Sequence, residues 1–172
     1  MIRTDSLLLR RFTPADVDAL TVLYADPRFN WFPYRRARSS AEAANFVTSV
    51  IEHWRLHGIG RWAVCRRDDG ALLGHCGVTT LTWPVRPNAW DLGFRLDASA
   101  RGRGYGFEAA AAVIDDAFAR TDADSVVATA EVAHRACRSL LKKLGLVEEA
   151  VLRHPRFATA HVVASLSRID AG

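Results

Sequence analysis

Lysine is almost missing from this chain. Lys142 and Lys143 are the only two in 172 residues, so nearly all the positive charge is arginine. With alanine abundant, that bias is as easily ascribed to GC-rich coding as to function. Cysteine is scarce as well. Cys65, Cys76 and Cys137 are odd in number and form neither a CxxC pair nor a Cys/His cluster with zinc-ligand spacing, which argues against a metal and against a disulfide framework. Three reduced thiols suit a reducing, cytoplasmic compartment. No apolar run approaches the roughly 20 residues that cross a bilayer. Residues 1–11 hold Asp5 and three arginines where an export signal needs an apolar stretch. The expectation is a soluble, unexported protein with no membrane partner. Repeats, low-complexity tracts and linkers are lacking too. A chain that is 49% apolar and 24% charged therefore predicts one domain over 1–172, large enough to build a core without staples.

The net charge is +4, which favours anionic partners: nucleic acid or a phosphate-rich cofactor. Leu7, Leu8 and Leu9 with Arg10 and Arg11 predict a first strand, and Thr13 as N-cap with Pro14 at the first helical position predicts a helix over 14–25. Residues 26–38, rich in aromatics and arginine and broken by two prolines, predict a loop or short turn. Ser39 and Glu42 form a capping box, after which Ala43, Val47, Val50, Ile51 and Trp54 recur at helical spacing until Gly58. Runs over 62–66 and 72–81, joined by Asp68, Asp69 and Gly70, predict a hairpin, and 89–96 a third strand. Helix over 104–120, strand over 125–130 and helix over 133–144 follow, the last stopped by Gly145. Residues 151–154 and 161–166 predict a closing β-hairpin. The fold class is α+β, with strands flanking an inner βαβα core.

The strand Asp91-Leu92-Gly93-Phe94-Arg95-Leu96-Asp97 leads directly into the glycine-rich stretch Arg101-Gly102-Arg103-Gly104-Tyr105-Gly106, after which the chain is strongly helical. Glycines at a strand-to-helix junction let the backbone turn sharply and approach a ligand, while unpaired N–H groups and the positive end of the helix dipole face outward. Arg101 and Arg103 add charge. One reading is a pyrophosphate cradle; the other is a turn with an arginine-decorated surface. A dinucleotide fingerprint would need GxGxxG with an acidic residue some 20 positions on, and a Walker loop Gly-Lys-Ser/Thr. Neither is present.

Residues 101–106 resemble the R/Q-x-x-G-x-G/A acyl-CoA pyrophosphate loop of the GNAT superfamily of N-acetyltransferases. EVAHRACRSLLKKLGL, residues 131–146, is similar to that family's strand and helix ending in "eklGF". TDSLLLRRFTPAD near the start and EEAVLRHPRF near the end are similar to the branch with the ribosomal-protein N-acetyltransferases RimJ and RimL. The resemblance covers nearly the whole chain, with its pieces in order and on the right elements. It implies a mostly antiparallel sheet of six to seven strands, about four helices and a central acyl-CoA-binding core.

It also implies a chemistry in which an amine attacks the thioester of acetyl-CoA directly, without metal, the protein supplying position and electrostatics. The amides of Arg101, Gly102, Arg103, Gly104, Tyr105 and Gly106 would hold the pyrophosphate. The exposed backbone around Phe94, Arg95 and Leu96 would take the pantetheine arm, and His134 would replace an asparagine that contacts it. Asp91 is the expected general base. It stands where relatives carry glutamate and shares a strand face with Gly93 and Arg95; the competing reading is a strand-end carboxylate paired with an arginine. Glu131 is the second choice. Cys137 falls where the branch carries a serine proposed as general acid, although a small buried residue would look the same. The glutamate proposed as base in RimL-type enzymes would fall near Arg156, which cannot accept a proton, and an acidic residue common in the last strand is replaced by His161.

On the acceptor side the resemblance makes residues 26–38 a lid. Phe29, Trp31, Phe32 and Tyr34 would form an apolar floor, with Arg28, Arg35, Arg36 and Arg38 at the rim, suiting an acidic or carboxylate-bearing amine. Residues 83–88 would shape the groove or support a dimer. The implied partners are acetyl-CoA and an amine acceptor, with a protein N-terminus leading; monomer and homodimer both stay open. Two rival readings stand beside this one: a nucleic-acid module resting on Arg35, Arg36, Arg38 and neighbouring aromatics, and an acyl-CoA-binding protein of the same fold with little turnover.

Overall fold

The computed structural model describes residues 1–30, 35–155 and 159–171. Eight strands form one sheet in the order β1-β2-β3-β4-β5-β6-β8-β7. They are β1 (Ile2–Arg3), β2 (Leu7–Arg10), β3 (Arg61–Arg66), β4 (Leu72–Thr80), β5 (Ala89–Leu96), β6 (Ser125–Glu131), β7 (Val147–Arg153) and β8 (Ala160–Ser167). Four helices accompany them: α1 (Val17–Ala25), α2 (Ser40–His57), α3 (Tyr105–Arg120) and α4 (Arg135–Lys143). Every neighbouring pair is antiparallel except β5 and β6. The strand count exceeds the expected six to seven because β1 pairs through only two residues, Ile2 with Leu9 and Arg3 with Leu8. Two residues carry no period from which a strand can be read.

Local chemistry sets the element ends. The Asp16 carboxylate accepts from the Thr13 N–H at 2.8 Å and from the Arg10 guanidinium. That ties the helix entry to β2, and the first turn, Pro14–Asp16, is 3₁₀ rather than α. Ser39 and Glu42 make the reciprocal box at the start of α2, and Gly58 ends it in the left-handed region at φ 67°.

Strand alternation sends successive side chains to opposite faces. Leu96 faces α3, where a Cβ on Gly106 would stand 3.9 Å from its Cδ1. His75 faces α2 and stacks on Phe46 at 4.7 Å. The helices therefore cover the sheet from both sides, burying Leu7, Leu9, Val64, Val78, Val113 and Ala117 among others. The loop after β4 docks on the far end of the sheet, with the Trp83 ring 4.5 Å from His154 and an Arg86–Glu149 ion pair. His161, fully buried, lies beside both rings.

Candidate functional site

β5 is where the sheet opens. It pairs with β6 only through Ala89, Trp90 and Asp91, yet stays paired to β4 as far as Leu96. Beyond Asp91 the two parallel strands part. The Asp97 N–H donates to the Leu73 carbonyl on the β4 side at 2.7 Å. Backbone polar groups alternate along a strand, so those of Phe94 and Leu96 face the gap that β6 has left. Arg95, grouped with them from sequence, belongs elsewhere: its backbone is turned to β4 and its guanidinium lines a groove beneath α2. The reason is the same alternation.

The gap leads to the glycine turn. Gly102 and Gly104 have φ of 74° and 84°, and among the described residues, chain neighbours aside, no atom lies within 4 Å of where a Cβ would stand on either. Glycine is required there by backbone conformation and leaves the space above it open. Gly104 caps α3, whose first amides, those of Tyr105, Gly106 and Phe107, have no acceptor within the helix. Arg101 and Arg103 are exposed. Open space, free amides and two guanidiniums fit a diphosphate. Gly106 does something different: a Cβ there would press on Leu140 of α4 at 3.0 Å, so its smallness lets the two helices meet.

Arg101 also reaches back, donating to the Arg28 carbonyl at 2.6 Å and, at 3.4 Å, to that of Leu96. His134, at the start of α4, is held below the ordinary histidine range by burial, with the Arg101 charge adding to the effect and Glu131 opposing it. One turn on, burial pushes the Cys137 thiol up to about 11. Glu108, unremarked in the sequence, accepts from Thr4 Oγ1 at 2.5 Å and the Ser6 N–H at 2.6 Å, pinning α3 to the start of the chain.

Asp91 lies where β5 and β6 separate. Burial raises its carboxyl to about 6, and the Arg61 charge works the other way. Glu131 is 6% exposed and accepts from the Arg35 guanidinium through both carboxylate oxygens, at 2.8 and 2.9 Å. It acts as an anchor for the segment after α1. Phe29 is 1% exposed and packs on Tyr24 and His75, which makes it core. Trp31, Phe32, Tyr34 and Arg156 lie outside the described residues.

Sequence reasoning missed a group on the face under α2. Arg61 pairs with Gly77 across β3 and β4, and Gly77 with Gly93 across β4 and β5. A Cβ on Gly77 would stand 2.3 Å from Arg61 Cα, and one on Gly93 2.8 Å from both Arg61 Nη atoms. The two glycines make a trough in which the Arg61 side chain lies across β4 towards β5. Arg61 Nη1 is 3.5 Å from His75 Nδ1. His75 is held well below its ordinary range by burial and by the charges of Arg61, Arg95 and Arg38, so its ring is neutral. Glycines inside strands signal close approach, but what approaches them depends on register.

Fold and site together define an acyl-group transferase. The chain belongs to the GNAT acetyltransferases: the family described as Acetyltransferase (GNAT) domain matches residues 6–147. YoaA of Bacillus subtilis (strain 168), an uncharacterized N-acetyltransferase, is 26% identical over 164 residues, covering 89% of this chain and 86% of its own length. A GnaT-family acetyltransferase from Bordetella pertussis superposes with a TM-score of 0.83 at 17% identity, over 96% of this chain and 98% of that one. RimL, a ribosomal L7/L12 alpha-N-protein acetyltransferase in complex with coenzyme A, gives 0.81 at 18% identity, over 98% and 97%. Among the described residues no helix is long and apolar enough to cross a membrane, and no group of three or more His, Cys, Asp or Glu could hold a metal ion.

Proposed function

We propose that this chain moves an acetyl group from acetyl-CoA to a primary amine. The observation that carries the reading is the parting of β5 from β6, which puts the outward backbone of Phe94 and Leu96, the glycine turn and Asp91 along one cleft. Bound there, acetyl-CoA would supply an activated acetyl thioester. The amides at the start of α3, with Arg101 and Arg103, would hold its diphosphate, and the free edge of β5 its pantetheine arm.

Asp91 takes the amine's proton. An α-amino group of pKa about 8 arrives mostly as ammonium. Transfer to a carboxylate at its ordinary 3.8 would be uphill by about 4 units, or about 6 kcal/mol. At the value of about 6 that burial imposes, the gap falls to about 2 units, or about 3 kcal/mol. Glu131 is already engaged by the Arg35 guanidinium, which leaves the role to Asp91. Cys137 at about 11 holds its proton more tightly than an ordinary thiol of about 8.5, which makes it a weak acid toward the departing sulfur. Two acceptor classes fit the cleft: a peptide or protein N-terminus, by likeness of fold to RimL alone, and small amines.

Calorimetric titration with CoA and acetyl-CoA tests the reading, comparing wild type with Gly104→Glu, which puts a carboxylate into the turn. Wild type is expected to bind in the micromolar range, about −8 kcal/mol, and the variant at least about 100-fold more weakly. A folded wild type that binds neither compound overturns it.

A further inference from the structure

The groove beneath α2 has a volume of about 470 Å³ and is lined by Arg38, Asn45, Ser49, Arg61, His75 and Arg95 among others. That volume falls within the range of small-ligand sites, roughly 300–1,000 Å³. Its charge is one-sided. Glu42 also borders it, but that carboxylate accepts from Arg36, Arg38 and the Ser39 N–H, and these bonds hold it at about 2. Arg38 is thereby engaged, with its guanidinium 4.0 Å from the Tyr24 ring. His75 adds no charge. Arg61 makes no salt bridge among the described residues; its nearest polar partner is the neutral imidazole. A guanidinium laid in a glycine trough, beside a second from Arg95 and with the Asn45 amide also lining the groove, is arranged to receive carboxylate or phosphate oxygens.

The position along β5 supplies the rest. Arg61's guanidinium lies over Gly93, two residues from Asp91 on the same strand face, roughly 7 Å at strand rise. Resting on the reading that Asp91 receives the amine's proton, we propose that the groove is an anion subsite and that the acceptor is a small amine bearing a carboxylate or phosphate within several bonds of its nitrogen. The cations orient the acceptor by its anionic end and leave its amine at the mouth of the gap between β5 and β6. They also disfavour polyamines and other cationic acceptors, which would meet the guanidiniums of Arg61 and Arg95.

The full chain, saturated with CoA, is titrated calorimetrically with matched pairs: O-phosphoethanolamine against ethanolamine, and an amino acid panel against the corresponding amino acid amides. The same pairs are assayed as acceptors with acetyl-CoA. The anionic member of a pair is expected to bind and react at least 10-fold better. In Arg61→Gln that preference collapses through KM while CoA affinity holds, and Arg61→Lys recovers part of it. Preference for the phosphate pair or the carboxylate pair identifies which anion is read. If Arg61→Gln fails to fold, Arg95→Gln and Gly93→Ala carry the same expectation. Acetylation indifferent to the anion overturns this inference and leaves acetyl transfer standing. Anion-dependent binding with no acetylation does the reverse. An N-terminal peptide preferred over every small anionic amine also overturns it.

Discussion

The phosphate turn and the basic trough both depend on glycine, for opposite reasons. In the turn, Gly102 and Gly104 adopt positive φ with no described residue beyond their chain neighbours near them; what matters is backbone conformation, and the space above is left open. In the trough, Gly77 and Gly93 have ordinary backbone angles but neighbours closer than any Cβ tolerates; what matters is the missing side chain, and an arginine of the same chain fills the space. The first arrangement is built from consecutive residues and would present backbone to a cofactor. The second is assembled from three strands and would present side chains to an acceptor. A fold that keeps its donor and varies its acceptors would divide the labour this way.

Asp91 sits between the two, and replacing it is expected to have the largest effect. Asp91→Asn should lower kcat by about 100- to 10,000-fold, the usual range for a positioned base, with CoA affinity kept. Wild-type kcat should rise with pH through about 6 as the carboxyl ionises, and the variant should lose that limb. Stability should move the other way. A carboxyl raised in the folded state binds its proton more tightly there, so its contribution is present below the ordinary 3.8 and is lost as pH climbs through about 6. The shift corresponds to about 3 kcal/mol. Asp91→Asn should therefore be the more stable protein at pH 8 by up to that amount, measured by urea denaturation at pH 4 and pH 8. A variant both inactive and less stable at pH 8 would make Asp91 structural.

Alanine at the trough glycines comes next. At Gly77 the clash is with the backbone of Arg61 and Gly60, at 2.3 and 2.5 Å. Gly77→Ala should cost about 3 kcal/mol or more, a fall in Tm of about 6–12 °C for a chain this size. At Gly93 the clash is with the far end of one side chain, so Gly93→Ala should change stability by less than about 1 kcal/mol while displacing the Arg61 guanidinium. Equal losses at the two positions would break the distinction drawn between them. The smallest effect is expected at Cys137. With its thiol near 11, both Cys137→Ala and Cys137→Ser should leave kcat within about threefold of wild type. A tenfold fall in the alanine variant that serine restores would return the proton-donor role to this position.

Legibility in the sequence followed locality. Strand β5 was readable to the residue, and so were the capping box of α2 and its Gly58 stop, because each is signalled by neighbours within a few positions. The glycine turn was readable because strand, turn and helix are consecutive. Strand β7 begins at Val147, four residues earlier than expected, since all seven of its residues are exposed and no alternation marks them. Phe29 was placed as an acceptor-facing aromatic by the family resemblance, yet it packs on Tyr24 of the preceding helix and on His75 of β4, and the second of these contacts carries no local signal. Arg61 and His75 carried no local signal at all. Their partnership exists only once β3, β4 and β5 are in register.

The outer strand β7 leaves one long side of the sheet uncovered, and such a rim invites another chain to add itself. Its register shifts between Glu148 and Ala150, and Glu149 accepts from Ser165 and pairs with Arg86, while Glu148 holds Arg138. An irregular ladder bearing two engaged carboxylates and Arg153 is a poor template for a newcomer. At the other rim, β1 offers two residues. Charge and kink on one side and brevity on the other blunt both rims of so broad a sheet against edge-to-edge pairing.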